Sequence, residues 1–164
     1  MIPNDRNFSD LTDTSALPVM VLAHNEEDHL SSCLDSIISD APPNGVEIYV
    51  MANGCTDNTE QIAIDYSRRY PQVKLISLRL ADKCNAWNQF IHNTVVQAVH
   101  NRPAYIFVDG DARVVRGSLS ALVKALQLNP EAHAASAPPA SGRSMIKDRR
   151  NLLEGRHLVA NLYA

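Results

Sequence analysis

Leu17-Pro18-Val19-Met20-Val21-Leu22-Ala23-His24-Asn25-Glu26-Glu27 is the stretch that decides the fold class. Seven residues run without a polar side chain and then break abruptly into four polar ones. A strand that is apolar at every position has both faces covered, which is the situation of a parallel sheet flanked by helices. The polar break falls at its carboxyl end, where such sheets bind ligands. A parallel sheet needs the same pattern repeated, with helices between the repeats.

The pattern recurs at Val46–Met51, Val73–Leu78 and Ala104–Val108, all rich in Val, Ile, Leu or Tyr. Between the runs lie helical periods. Leu30, Cys33, Leu34, Ile37 and Ile38 form one stripe. Glu26, Glu27 and Asp28 precede it and suit the positive end of a helix dipole. Pro42-Pro43-Asn44-Gly45 ends that helix and turns the chain. Asp57 with Glu60 predicts a capping box for a second helix, with Ile62, Ala63 and Tyr66 facing inward. A third helix is predicted over Ala86–Val99, with Trp87 and Phe90 in the core. A fourth spans Ser118–Leu128, stopped by Asn129-Pro130. The alternation predicts an α/β fold, a Rossmann-like three-layer sandwich around a mainly parallel central sheet.

The chain has 164 residues, about the length of one domain. Residues 1–15 read as a flexible polar arm, 16–136 as the α/β domain, and 137–164 as a linker followed by an amphipathic helix, or as the start of an acceptor region that is not in this sequence. Eighteen acidic against fifteen basic residues leave a net charge of −3, with no surplus for a basic face, so no nucleic-acid partner is expected. Cys33, Cys55 and Cys84 are odd in number and miss zinc-ligand spacing, which suits a reduced, cytoplasmic setting. The N-terminus lacks the profile of a signal peptide. The apolar run at Val19–Ala23 falls far short of the ~20 residues a membrane helix needs, even counted from Leu17, and no transmembrane segment is expected. In the tail, Met145, Ile146, Leu152, Leu153, Leu158, Val159 and Leu162 alternate with Lys147, Arg149, Arg150 and Arg156. The first expectation is a helix packed on the chain's own sheet or on sequence beyond this chain. Peripheral contact with a membrane surface and homo-oligomer formation through that helix are the alternatives.

Each apolar run leads into a polar cluster. The clusters are His24-Asn25-Glu26-Glu27, Asn53-Gly54-Cys55-Thr56-Asp57-Asn58-Thr59, Lys83 with Asn85 and Asn88, and Asp109-Gly110-Asp111. Two carboxylates at i and i+2 after a buried strand suit a hard divalent cation, Mn²⁺ or Mg²⁺, which completes its shell with phosphate oxygens and water. Lys83 offers a point charge for the same phosphates. Asn53 and Asn88 offer amides for a base or sugar. Together these describe a site for a metal and a diphosphate.

Val19 to Glu27, Asn53 to Thr59, Lys83-x-x-x-x-Asn88 and Asp109-x-Asp111 resemble, in order and spacing, the family 2 glycosyltransferases of GT-A fold. The resemblance covers Leu17 to Ser136 and implies a donor that is a nucleotide-diphospho-sugar, most readily a UDP-sugar, with an unknown acceptor. It implies that His24 and Asn25 lie against base and ribose, with Glu26 or Glu27 near the base edge. Asn53 stands where the family usually has an Asp that accepts a hydrogen bond from uracil. Lys83 would approach the diphosphate and Asn88 would support the site. Asp109 would face ribose and metal, and Asp111 would ligate the metal. Inverting members use a carboxylate base well downstream of Asp-x-Asp. Here the acids after Asp111 are Glu131, Asp148 and Glu154, none in such a motif. The expectation is therefore a donor-binding portion without an identifiable catalytic base.

Three rival readings compete for the same residues. A phosphatase with Asp109 as nucleophile would want Thr or Val where Arg113 stands. A nucleotidyltransferase would carry a Gly- and Arg-rich loop after the first strand, unlike His24-Asn25-Glu26. The rival from another class is a non-catalytic nucleotide-binding or interaction module. Cys33 reads as core, Cys55 as a turn residue, and His24 and His29 do not share a helical face.

Overall fold

The apolar run that opens the domain forms strand β1, Leu17–Ala23, buried along nearly its whole length. It lies between two parallel neighbours, β2 (Val46–Asn53) and β4 (Ile106–Asp109), and β3 (Val73–Leu78) flanks β2 on its far side. In this computed structural model, which describes residues 15–95, 104–129 and 131–137, the sheet has the order β3-β2-β1-β4 and is wholly parallel.

Alternation along each strand divides the apolar side chains between two faces. Val19, Val21, Val46, Ile48, Val50, Val73 and Ile106 face one way. They pack against α1 (Leu30–Ser39), α2 (Thr59–Arg69) and the helix Ser118–Leu128, through Leu30, Leu34, Ile37, Ala63, Leu119 and Leu126. Met20, Tyr49 and Met51 face the other way and meet Phe90. That face is covered by α3 (Lys83–Asn88), which continues as a π-helical stretch over Gln89–Val95. The helix Ser118–Leu128 is α4. Helices on both faces make the expected three-layer α/β sandwich.

The α3 segment is too short to be stable by propensity, since isolated helices need about 12–15 residues in water. Aromatic packing holds it. Phe90 is fully buried, edge-on to Tyr49 at 5.6 Å and to Phe107 at 5.7 Å, while Trp87 stacks on Phe107 at 4.0 Å. Burying a side chain of this size contributes about 1.5–3 kcal/mol. The helix begins at Lys83, earlier than the Ala86 expected, because Asp82 caps it by accepting the Asn85 N–H at 3.0 Å.

Other boundaries differ from expectation for equally local reasons. β2 runs past Met51 because Ala52 and Asn53 still pair with Ser77 and Leu78 of β3. Asp109 lies inside β4, opposite Leu22. The expected capping box does not form: Asp57 accepts the N–H of Thr59, and Glu60 instead accepts the Ser77 hydroxyl at 2.6 Å. Glu26, Glu27 and Asp28 lie on a turn before α1, not in its first helical turn. No described helix is long and apolar enough to cross a membrane. The N-terminal arm to residue 14, the expected third helix from residue 96, and the tail from residue 138 lie outside the described residues.

β1 sends its following connection to β2 on one side, while β4 joins on the other. The chain therefore reverses direction across the sheet between β1 and β4, and in sheets of this kind ligands bind beyond the carboxyl ends of the strands at such a switch point.

Candidate functional site

The loops after β1 and β2 are laced together at the carboxyl edge. His24 Nδ1 donates to the Asn53 carbonyl at 2.7 Å, which leaves Nε2 as the ring's second polar atom. Asn25 takes a left-handed backbone, φ 54°, a conformation Asn tolerates better than most residues. Its Oδ1 accepts the Thr56 N–H at 2.8 Å. The Glu26 N–H donates to Thr59 Oγ1 at 2.7 Å, and its carboxylate meets His29 Nδ1 at 3.2 Å. Glu27 gives its N–H to Asp57 and accepts both the backbone and the side-chain N–H of Asn58, at 3.0 and 2.8 Å. Glu27 was expected only as the alternative to Glu26, and Asp57, Asn58 and Thr59 were not among the expected site residues. Asp57 and Thr59, two apart with the carboxylate bonded to the Thr59 N–H, form an Asx turn, and that spacing was the signal available.

Asn53 ties this pair of loops to the next one. It is only 5% exposed, and its Oδ1 accepts the Asp82 N–H at 3.0 Å. Gly54 beside it has φ +64°, and a Cβ there would lie 2.5 Å from the Ala81 nitrogen. Only glycine lets the Leu80–Asp82 backbone close over the end of β2. Asp82 and α3 then place Lys83 at the site, where Nζ lies 3.0 Å from Asp109 Oδ1.

The fourth strand end is fixed just as firmly. The Gly110 N–H donates to the Leu22 carbonyl at 2.8 Å, and a Cβ on Gly110 would come within 3.1 Å of that oxygen. The Asp109 carbonyl accepts from the Ala112 N–H at 2.9 Å and lies 3.7 Å from Cys33 Sγ. Burial, with the nearby charges of Asp111, Glu26 and Asp109, pushes the Cys33 thiol up to about 12, so it is a protonated core group and no nucleophile. Cys55 Sγ lies 3.5 Å from the Ala23 carbonyl, as suits a turn residue.

Of the expected site residues, the structure thus links His24 with Asn53 and Lys83 with Asp109 directly. Asn25 and Glu26 reach the loop after β2 through Thr56 and Thr59. Asn88, the last residue of α3, and Asp111 are exposed. Asp109 and Asp111 are hard oxygen donors, and no group of three or more His, Cys, Asp or Glu side chains among the described residues could hold a metal. That donor set suits Mg²⁺ or Mn²⁺, which take one or two carboxylates and leave the rest of the shell to phosphate and water. It does not suit zinc, which wants three or four protein ligands.

A family model described as glycosyl transferase family 2 matches residues 19–161. The chain belongs to glycosyl transferase family 2. A curated relative, the uncharacterized glycosyltransferase YibD of Escherichia coli (strain K12), is 29% identical over 105 residues. That alignment covers 63% of this chain and 28% of YibD. Among solved structures, S. aureus TarS 1–349 in complex with UDP-GlcNAc is similar with a TM-score of 0.55 at 22% identity. It matches over 70% of this chain and 32% of that one. The mannosyltransferase PcManGT of Pyrobaculum calidifontis, in complex with GDP-Man and Mn²⁺, has a TM-score of 0.53 at 23% identity, over 67% and 32% of the two chains. These likenesses establish the GT-A fold for the family 2 chain, which spans about a third of the length of the solved structures it matches.

Proposed function

We propose that this glycosyltransferase domain binds a nucleotide-diphospho-sugar, with a UDP-sugar as the first candidate, and serves its transfer to an acceptor hydroxyl with inversion. The observation that carries the proposal is that the four motif-bearing strand ends lie at one edge of a parallel sheet and are linked there by hydrogen bonds, His24 to Asn53, Asp82 to Asn53, and Lys83 to Asp109 at 3.0 Å. That TarS is seen with UDP-GlcNAc and PcManGT with GDP-Man and Mn²⁺ supports the donor class. The free cysteines are consistent with a cytoplasmic setting.

In this reading His24, its Nε2 turned outward from the Asn53 contact, borders base and ribose together with Asn25, and Glu26 lies near the base edge. Asn53 holds the wall of that pocket through Asp82 and His24, and Asn88 supports it from α3. Asp109 and Asp111 would hold a divalent metal, which when bound supplies positive charge against the departing diphosphate. Lys83 adds a second positive charge to the same phosphates. Among the described residues after Asp111 the one acid is Glu131, which is exposed, so no residue here is assigned as the base. The alternative reading is a nucleotide-binding module without turnover of its own.

A thermal-shift panel of UDP, GDP, dTDP and CDP with and without Mn²⁺ tests the proposal. One nucleotide should raise Tm in a metal-dependent way in the wild type and not in Asp111→Asn, because a ligand of the folded state stabilises it. No shift with any of them at millimolar concentration would contradict the proposal. Release of free nucleoside diphosphate from the matching sugar donor separates the enzyme from the binding module.

A further inference from the structure

Lys83 and Asp109 have both been assigned to one donor site, yet they are spent on each other. Lys83 Nζ lies 3.0 Å from Asp109 Oδ1, and the two side chains are 63% and 64% exposed. We infer that Lys83 is a counter-ion gate on Asp109. It holds that carboxylate until a diphosphate draws the ammonium away, so the divalent cation and the diphosphate enter together. This rests on the donor-site reading above and adds a regulation of the same site.

The backbones at both ends of the pair are held by hydrogen bonds, so exchanging partners asks only for side-chain movement. Lys83 starts α3, which Asp82 caps, and the Asp82 N–H is tied to Asn53 Oδ1. Gly54, where a Cβ would lie 2.5 Å from the Ala81 nitrogen, lets the preceding loop pack close against the end of β2. Asp109 is paired in register with Leu22, and Gly110 continues that pairing. Exposed ion pairs are weak, so this one is easily exchanged for a stronger partner. A diphosphate carries more than one negative charge and accepts charge-assisted hydrogen bonds, which makes it the better partner for an ammonium. A divalent cation arriving alone meets a carboxylate already neutralised and a positive charge beside it. Linkage makes the effect reciprocal: what the diphosphate does for cation affinity, the cation does for diphosphate affinity.

The sign of one measurement separates this role from the simpler ones. If Lys83 contacts phosphate but leaves Asp109 free in solution when the site is empty, its removal leaves binding of the cation alone nearly unchanged. If it only ties α3 to β4, its removal weakens that binding or leaves it alone. If it is a gate, removal strengthens it. Mn²⁺ binding to the full chain would be followed by electron paramagnetic resonance of free Mn²⁺, with and without UDP or GDP. Mn²⁺–nucleotide complex formation in solution would be measured separately. Wild type, Lys83→Gln and Lys83→Arg are compared. Without nucleotide, Lys83→Gln should bind Mn²⁺ roughly two- to fivefold tighter than wild type, the fold-change that corresponds to an exposed ion pair. Lys83→Arg, which keeps the charge, should match wild type, and with the diphosphate present the advantage of Lys83→Gln should disappear. Equal or weaker binding of Mn²⁺ alone by Lys83→Gln overturns the gate, while Mn²⁺ uptake with UDP or GDP in the same experiment leaves the donor-site reading standing. No Mn²⁺ uptake by any variant under any condition overturns both.

Discussion

Asp57 shows how a single carboxylate organises the candidate site. Burial pushes its pKa up, but the hydroxyl and N–H of Thr59 and the N–H of Glu27 outweigh that and hold it below its ordinary 3.8. A folded pKa below the unfolded one means the unfolded chain takes up protons first as pH falls. The stability Asp57 contributes is therefore complete above pH 3.8 and is lost as pH drops through the lower folded value. Asp57→Asn should cost about 0.5–1 kcal/mol at pH 7, a modest figure because water reaches the group. The Tm gap between variant and wild type should shrink below pH 4, and a gap that stays constant from pH 7 to pH 3 would contradict the assignment. The residue types at the strand ends were legible in the sequence because a polar cluster straight after an apolar run marks the chain leaving a buried strand for a solvent-facing edge. Their division of labour was not. Asn25, Glu26 and Asn53 read as ligand contacts, yet each spends a polar group on a neighbouring loop. Hydrogen bonds between residues about thirty positions apart leave no periodic trace.

Helix α4 has an N-terminus that its own sequence cannot cap. The preceding residue is Gly117, which has no side chain, and the cap comes from Asp40 at the end of α1. One Asp40 oxygen accepts the Gly117 N–H and the other accepts the Leu119 N–H at 2.9 Å. Ser36 adds a second tie by accepting the Val114 N–H at 2.9 Å. The loop that carries Asp111 is thereby fastened to α1. Asp40→Ala should cost about 1–2 kcal/mol in urea unfolding, and Asp40→Asn, which keeps one acceptor, clearly less. A cost within ~0.5 kcal/mol of zero for Asp40→Ala would refute the cross-element cap. All four strands and the helical stripe of α1 were readable from apolar periodicity, since burial on one face or two sets those patterns directly. Strand and helix ends were less so. β2 ends at Asn53 because β3 offers partners that far, and α3 starts at Lys83 because Asp82 turns back onto Asn85. The cap of α4 depends on a residue from another helix, which no local window contains.

The molecule as a whole places its chemistry by topology. The sheet order β3-β2-β1-β4 parts the loops after β1 and β4, and the acidic pair Asp109 and Asp111 comes out at that parting. One sheet face carries an aliphatic core under three helices, and the other carries Met20, Tyr49, Met51, Phe90, Trp87 and Phe107 under α3. The second face positions Lys83, so the aromatic stack supports the candidate site as well as the fold. Membership of glycosyl transferase family 2 agrees with this layout. The central claim is that a nucleoside diphosphate and a divalent cation meet at the carboxyl edge between β1 and β4. Paramagnetic broadening of backbone amide signals by substoichiometric Mn²⁺, with UDP or GDP present, tests it most directly. The account predicts that the amides of Asn25, Gly54, Lys83, Gly110, Asp111 and Ala112 broaden first, and that Asp111→Asn abolishes the effect. Broadening centred elsewhere, for example at Asp65 or Glu131, or spread evenly over the surface, would contradict it.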